Sequence, residues 1–271
     1  MSAIESWGRR VEAHHAQSLA VQELNSQGED FWRPYASAFR ADPARDDDPV
    51  ANRLMREVDR NSTVLDVGGG AGRLALPLAL RCKHVTVVDP SSSMLDQLRA
   101  AIGENEIDNV SIVETTWEEA AAPVADVVLC AHVLYGVADV VPFIRKLESH
   151  ARRSILVVSF FDAPQSHLGP LWKAVHRQDR IDLPALSELM EVLWEMDIYP
   201  GVEMFQAGPP QLFDTHEDAV QQLGPRLYVA AGTDRERRLR RAVKDLLVQT
   251  PDGLALKGAR PRRMGLLKWS T

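Results

Sequence analysis

Four glycines in five positions, Gly68, Gly69, Gly70 and Gly72, follow the apolar run "VLDV" and lie between two carboxylates, Asp66 and Asp89. Glycines at the end of a strand let the backbone approach a ligand without Cβ clashes, and carboxylates accept hydrogen bonds from hydroxyl groups. Two phosphate-binding patterns fail here. A dinucleotide fingerprint requires G-x-G-x-x-G, but counting from Gly68 puts Arg73 at the third glycine. A phosphate loop requires a Lys-Ser or Lys-Thr that does not follow. The plainer alternative is a tight strand-to-helix turn whose carboxylates only cap strand ends.

The elements around these residues alternate. β-branched runs at 63–67, 84–89, 110–114, 125–134 and 153–161 are separated by helical stretches to about 81, over 91–102 with an N-cap serine, and around 139–148. Strands apolar on both faces, joined by helices, predict a doubly wound parallel sheet. After 161 the rhythm changes: helices are expected at 171–179 and 183–196, a sixth strand at 202–207, and helices at 215–223 and 234–249. Segments 253–258 and 262–270 read as a closing hairpin. Before the sheet, residues 3–24 have helical spacing and "FWRPYASAFR" is rich in aromatics.

The spacing Asp66-x-Gly68-x-Gly70-x-Gly72, with Asp89 ending the next strand, resembles motif I and the adjoining acidic position of the class I S-adenosylmethionine-dependent methyltransferases, in their small-molecule, type 11/25-like branch. The resemblance covers about 60–160 and, more loosely, the last strand. It implies an α/β, Rossmann-like sheet of seven mostly parallel strands, the last antiparallel at about 263–269. It also implies a helical cap (1–48), a cofactor-binding domain (49–271) and a substrate-side insertion at about 162–200. S-adenosylmethionine carries no phosphate, consistent with the failed phosphate patterns.

By the same resemblance, Asp66, Gly68, Gly69, Gly70 and Gly72 approach the cofactor and Asp89 accepts from its ribose hydroxyls. Pro90, Ser91 and Met94 follow at the second strand and helix. Thr116 and Trp117 stand where the family contacts adenine, although the usual acidic residue is missing; for Trp117 a half-buried core position is the equal alternative. Cys130 and Ala131 line the cofactor at the end of the fourth strand. His132 is the best-placed general base and Tyr135 a weaker one, the alternative for His132 being a wall residue. Trp32, Tyr35 and Phe39 are candidate substrate contacts, the alternative being anchors of an N-terminal helix on the sheet. The proline motifs of amino- and RNA-cytosine methyltransferases and the acidic residue of polyamine synthases are absent at 130–137.

The net charge of −7 gives no general attraction for nucleic acid or anionic lipid. The arginines of 235–241 surround a helix rather than marking one face, as on a solvated helix. Cys82 and Cys130 lack paired spacing, and the histidines, His14, His15 and His84 among them, lack ligand spacing, so neither disulfide nor metal is expected. No apolar stretch has the length of a leader or a membrane span. The expectation is a cytoplasmic enzyme methylating a small molecule at oxygen or nitrogen, with oligomeric state unspecified. Its rivals are an RNA or protein methyltransferase and a non-catalytic S-adenosylmethionine-binding protein.

Overall fold

The structure is a computed structural model that describes residues 1–22, 30, 32–33, 35–40 and 42–271. Residues 23 and 24 of the expected first helix, and Phe31 and Pro34 of the aromatic segment, lie outside the described residues.

In chain order, the first half comprises α1 (Ala3–Val21), α2 (Pro49–Leu54), β1 (Thr63–Val67), α3 (Ala75–Ala79), β2 (His84–Asp89), α4 (Ser92–Glu104), β3 (Val110–Glu114), β4 (Ala125–Ala131), α5 (Val140–Ser149) and β5 (Ala151–Phe160). The second half comprises α6 (Gly169–His176), α7 (Leu186–Glu195), β6 (Gly201–Ala207), β7 (Leu212–Phe213), α8 (His216–Arg226), α9 (Asp234–Leu246), β8 (Leu247–Thr250), β9 (Gly253–Leu256) and β10 (Arg262–Trp269). Seven strands form one sheet in the order β3-β2-β1-β4-β5-β10-β6. Its first five are parallel, whereas β10 runs antiparallel to both β5 and β6.

Alternation along the strands splits the core into two layers. Leu65, Val67, Val128, Cys130, Ile155 and Val157 face α1, α5 and α7. Val64, Val87, Val127, Leu129, Leu156 and Val158 face α2, α3 and α4. Strands buried on both faces explain the nearly continuous Val/Ile/Leu runs.

Helix starts follow local capping chemistry. Ser2 and Glu5 form a capping box on α1, Asp48 accepts from the amides of Val50 and Ala51, and Ser91 accepts from Met94. Through its indole N–H, Trp7 on α1 donates to the Val137 carbonyl at 2.8 Å. The N-terminal helix thereby holds the loop that follows β4.

Three expectations are corrected. β4 ends at Ala131 rather than 134, because His132 adopts φ 62 and leaves the strand. The helix expected to run to 249 stops at Leu246, and its tail becomes β8. The closing hairpin does not form: β9 pairs with β7 and β8 in a separate three-stranded sheet, while β10 enters the main sheet. The residues between β6 and β10, with α6, enclose a core of their own around Trp172, Phe213, Leu223, Leu239 and Leu254. Helix α7 leaves α6 and packs on the sheet beside α1, so residues 162–200 do not form one unit.

In α9, Arg240 pairs with Glu217 and Glu236, Arg237 pairs with Asp234, Arg238 donates to the Val175 carbonyl, and Leu239, Ala242 and Val243 face inward. Among the described residues no helix is long and apolar enough to cross a membrane.

Candidate active site

The order β2-β1-β4 places the switch of sheet direction between β1 and β4, where open α/β sheets form a crevice at the carboxyl ends of their strands. A cavity of about 310 Å³ occupies that place. The glycine turn supplies one wall. Gly68, Gly70 and Gly72 have φ of 73, 53 and 83, a region open to glycine and strained for other residues. A Cβ on Gly68 would lie 2.2 Å from Val133 Cγ2, and one on Gly69 would lie 2.8 Å from Asp66 Oδ2. The turn therefore brings bare backbone to the cavity while Val133, just after β4, closes from the other side.

Asp89 is fixed by two backbone donors, Gly70 N–H to Oδ2 at 2.9 Å and Ser91 N–H to Oδ1 at 2.8 Å. Burial raises its pKa, and those two donors oppose the rise. Asp66 is different. It is 2% exposed, and its Oδ1 is buried with no hydrogen-bond partner among the described residues. Burial, and then the charge of Asp89, push it up to about 7. A buried carboxylate without a partner is costly and calls for an explanation.

Of the residues singled out in the sequence, Asp66, Gly68, Gly69, Gly70, Asp89, Pro90, Met94, Ala131, His132, Trp32 and Phe39 converge on this cavity. Trp32 and Phe39 meet edge to face at 5.6 Å, each 42% exposed, as a roof. The roof is pinned through Asp30, whose carboxylate accepts from Ser91 Oγ and Ser93 N–H at the start of α4. Against burial, which would raise it, the bonds from Ser93, Trp32 and Ser91 hold Asp30 down at about 2.

The others stand behind the wall or away from it. Gly72 allows Leu76 and Leu98 to close behind the turn, and Ser91 is spent as the cap of α4. Cys130 is fully buried between β1 and β5, its thiol pushed up by burial. Two placements correct the expected adenine contacts. Trp117 is only 4% exposed and belongs to the core, its Nε1 donating to the Phe143 carbonyl and its ring lying under Lys146. Thr116 is exposed and does not line the cavity. Tyr35 also stands apart, its ring facing Arg226 at 6.0 Å.

His132 Nδ1 lies 3.1 Å from the Tyr135 hydroxyl, which accepts from the Phe160 N–H, and the His132 ring stacks on Phe160 at 4.3 Å. Burial, reinforced by Arg73 and Arg262, lowers His132 to about 3. The imidazole is thus neutral throughout the physiological range and only weakly basic.

Sequence reasoning missed Arg73, Val133 and Asp30 as parts of the site. Arg73 lines the cavity with its guanidinium tied to Asp48 at 2.7 Å. It was legible only as a missing glycine.

A seven-stranded sheet with this order, a reversed last strand and a glycine-walled cavity at the switch point is the class I methyltransferase fold. In agreement, residues 64–154 match a family model described as "Methyltransferase domain". The chain is 28% identical over 146 residues to the ubiquinone biosynthesis O-methyltransferase of Rickettsia akari (strain Hartford), covering 50% of this chain and 58% of that one. It is 34% identical over 98 residues to the enzyme of that name from Rickettsia canadensis (strain McKiel), covering 35% and 41%. Its span is therefore about half the length of these relatives. The crystal structure of the YcgJ protein from Bacillus subtilis superposes with a TM-score of 0.58 at 16% identity, over 82% of this chain and 97% of that one, and shares the fold.

Proposed function

We propose that the protein is an S-adenosylmethionine-dependent methyltransferase acting on a small-molecule acceptor at oxygen or nitrogen. The single observation that carries this reading is the buried, unpartnered Oδ1 of Asp66 beside a bare glycine backbone and the fixed carboxylate of Asp89. Those features suit a ligand with a cationic amino-acid end and a pair of ribose hydroxyls. Among the described residues no lysine lines the cavity, and its one arginine, Arg73, is held by Asp48.

When bound, S-adenosylmethionine supplies a methyl group on a sulfonium: its S–C bond breaks as the acceptor's O–C or N–C bond forms, and S-adenosylhomocysteine leaves. Asp89 would hold the ribose hydroxyls, and Asp66 the cationic end. Trp32 and Phe39 shield the cavity from water, which sharpens alignment of the reacting groups. His132 and Tyr135 are positioning residues in this reading. A weakly basic imidazole beside a cation is a poor proton acceptor, so the acceptor gives up its proton to solvent before it enters the shielded cavity.

The Rickettsia relatives are named for O-methyl transfer in ubiquinone biosynthesis, which supports an oxygen acceptor on a small molecule. On α9, Arg237 and Arg240 are engaged by carboxylates, which lessens what this helix offers a nucleic-acid backbone. Two buried free cysteines suit a reducing, cytoplasmic setting. In the proposed division, residues 1–48 are the cap and 49–271 the catalytic domain.

With methyl-tritiated S-adenosylmethionine and a whole-cell extract, label is expected in the fraction that passes a small-pore filter. Label retained with RNA or protein would overturn the small-molecule reading.

A further inference from the structure

A second and larger cavity, of about 410 Å³, lies beside the first and is unused by the function proposed above. The chain builds it largely from the segment inserted between β6 and β10. Leu168 and Leu171 meet Phe213, Leu223, Leu247 and Leu256 there as an apolar lining contributed by α6, α8 and the small sheet. Such a volume and lining are those of a small-molecule pocket.

Three arginines open onto this apolar space: Arg226 at the end of α8, Arg260 in the connection to β10, and Arg262 at the start of β10. Elsewhere the arginines Arg10, Arg53, Arg73, Arg99 and Arg240 pair with carboxylates at 3.0 Å or less. Among the described residues none of the cavity trio has a carboxylate oxygen within 4.0 Å. Arg226 donates to Gln211 Oε1 at 3.0 Å, and Arg262 reaches only the backbone carbonyl of Asp162 at 3.5 Å. Three unneutralised cations in one apolar cavity of a chain carrying net charge −7 are a specific feature. His167, also in the lining, has a buried Nδ1 with no partner among the described residues and is lowered to about 4 by burial, then by Arg262 and Arg226. The fields of both arginines meet inside the cavity.

Phe160 separates the two cavities. Its ring carries His132 at 4.3 Å and the Arg262 guanidinium at 3.6 Å from the centroid. Two groups stacked that closely must lie on opposite faces, so His132, Phe160 and Arg262 form one stack leading from the glycine-walled cavity to the second one.

We infer that the second cavity is a binding site for a small organic anion, a carboxylate, sulfonate or phenolate on an apolar body. The charge sits at the arginine trio and the apolar body against the leucines and Phe213, while the His132–Phe160–Arg262 stack keeps this site apart from the glycine-walled cavity. Selection of an apolar anion does not depend on the methyltransferase reading.

Calorimetric titration with naphthoate and with the uncharged naphthalenemethanol tests this selection. The wild-type protein is expected to bind the anion about tenfold more tightly than the alcohol, since a charge-assisted pair contributes on the order of 1.4 kcal/mol. The double variant Arg226→Gln/Arg262→Gln is expected to lose that preference while its melting temperature and its S-adenosylhomocysteine affinity stay unchanged. Should the double variant melt early, Arg260→Gln, at an exposed position, is expected to cut the preference about threefold. Absence of anion binding, equal binding of the alcohol, or a preference that survives these substitutions would overturn the inference. Naphthoate selection without S-adenosylhomocysteine binding would keep the anion site and overturn the methyltransferase reading. The converse would overturn the anion site alone.

Discussion

Asp89→Ala is expected to weaken S-adenosylhomocysteine binding at least about 100-fold, a loss near 2.7 kcal/mol. Two charge-assisted hydrogen bonds from ribose hydroxyls would account for that size. The carboxylate is held for the task by Gly70 and Ser91 N–H, so no side-chain ordering is needed when the ligand arrives. Because those amides lose their acceptor in the alanine variant, Asp89→Asn is the companion: it keeps one oxygen and is expected to fall between the two. Calorimetry on both, with melting curves to verify folding, checks this. An Asp89→Ala variant binding like wild type would remove the ribose role.

Replacing Asp66 by Asn is expected to stabilise the unliganded protein at neutral pH and to impair ligand binding. The sign follows from the direction of the shift. The folded-state pKa is raised from the ordinary 3.8 to about 7. Between those values the folded protein keeps a proton that the unfolded chain has lost, so stability falls as pH rises through the window and the loss is complete above about 7. Three pKa units correspond to about 4 kcal/mol as an order of magnitude. Stability of Asp66→Asn relative to wild type should therefore widen in the variant's favour from pH 4 to pH 8 in denaturant titrations. Ligand affinity should move the other way. A bound cation favours the carboxylate, so wild-type affinity for S-adenosylhomocysteine should fall as pH drops below 7, and the variant should be weaker at pH 8 with a flat profile. Unchanged affinity in the variant would contradict the assignment of Asp66 to the cationic end of the ligand.

The glycine turn, Asp66 and Asp89 were legible because their roles depend on neighbours in sequence: a strand end, a turn and the next strand end. The five parallel strands were legible for a similar reason, since burial on both faces writes itself as unbroken apolar runs. What failed depended on distant partners. β10 reads locally as the second strand of a hairpin with β9, yet Leu266 and Leu267 are buried on opposite faces between β5 and β6, where a central strand belongs. The "HVL" that seemed to extend β4 continues its apolar pattern, but a left-handed His132 turns the chain away. Trp117 stands at the expected adenine position in sequence, while Phe143 and Lys146 hold it in the core. The second cavity had no local signature at all. Its lining comes from separate elements between Phe160 and Arg262, and its arginines are notable only for the carboxylates they do not meet.

The most direct test of the central claim is a calorimetric titration of the wild-type protein with S-adenosylhomocysteine at pH 8. One molecule should bind per chain, with a matching rise in melting temperature. No heat and no thermal shift would contradict the assignment of the glycine-walled cavity to an adenosyl cofactor, and with it the proposed reaction.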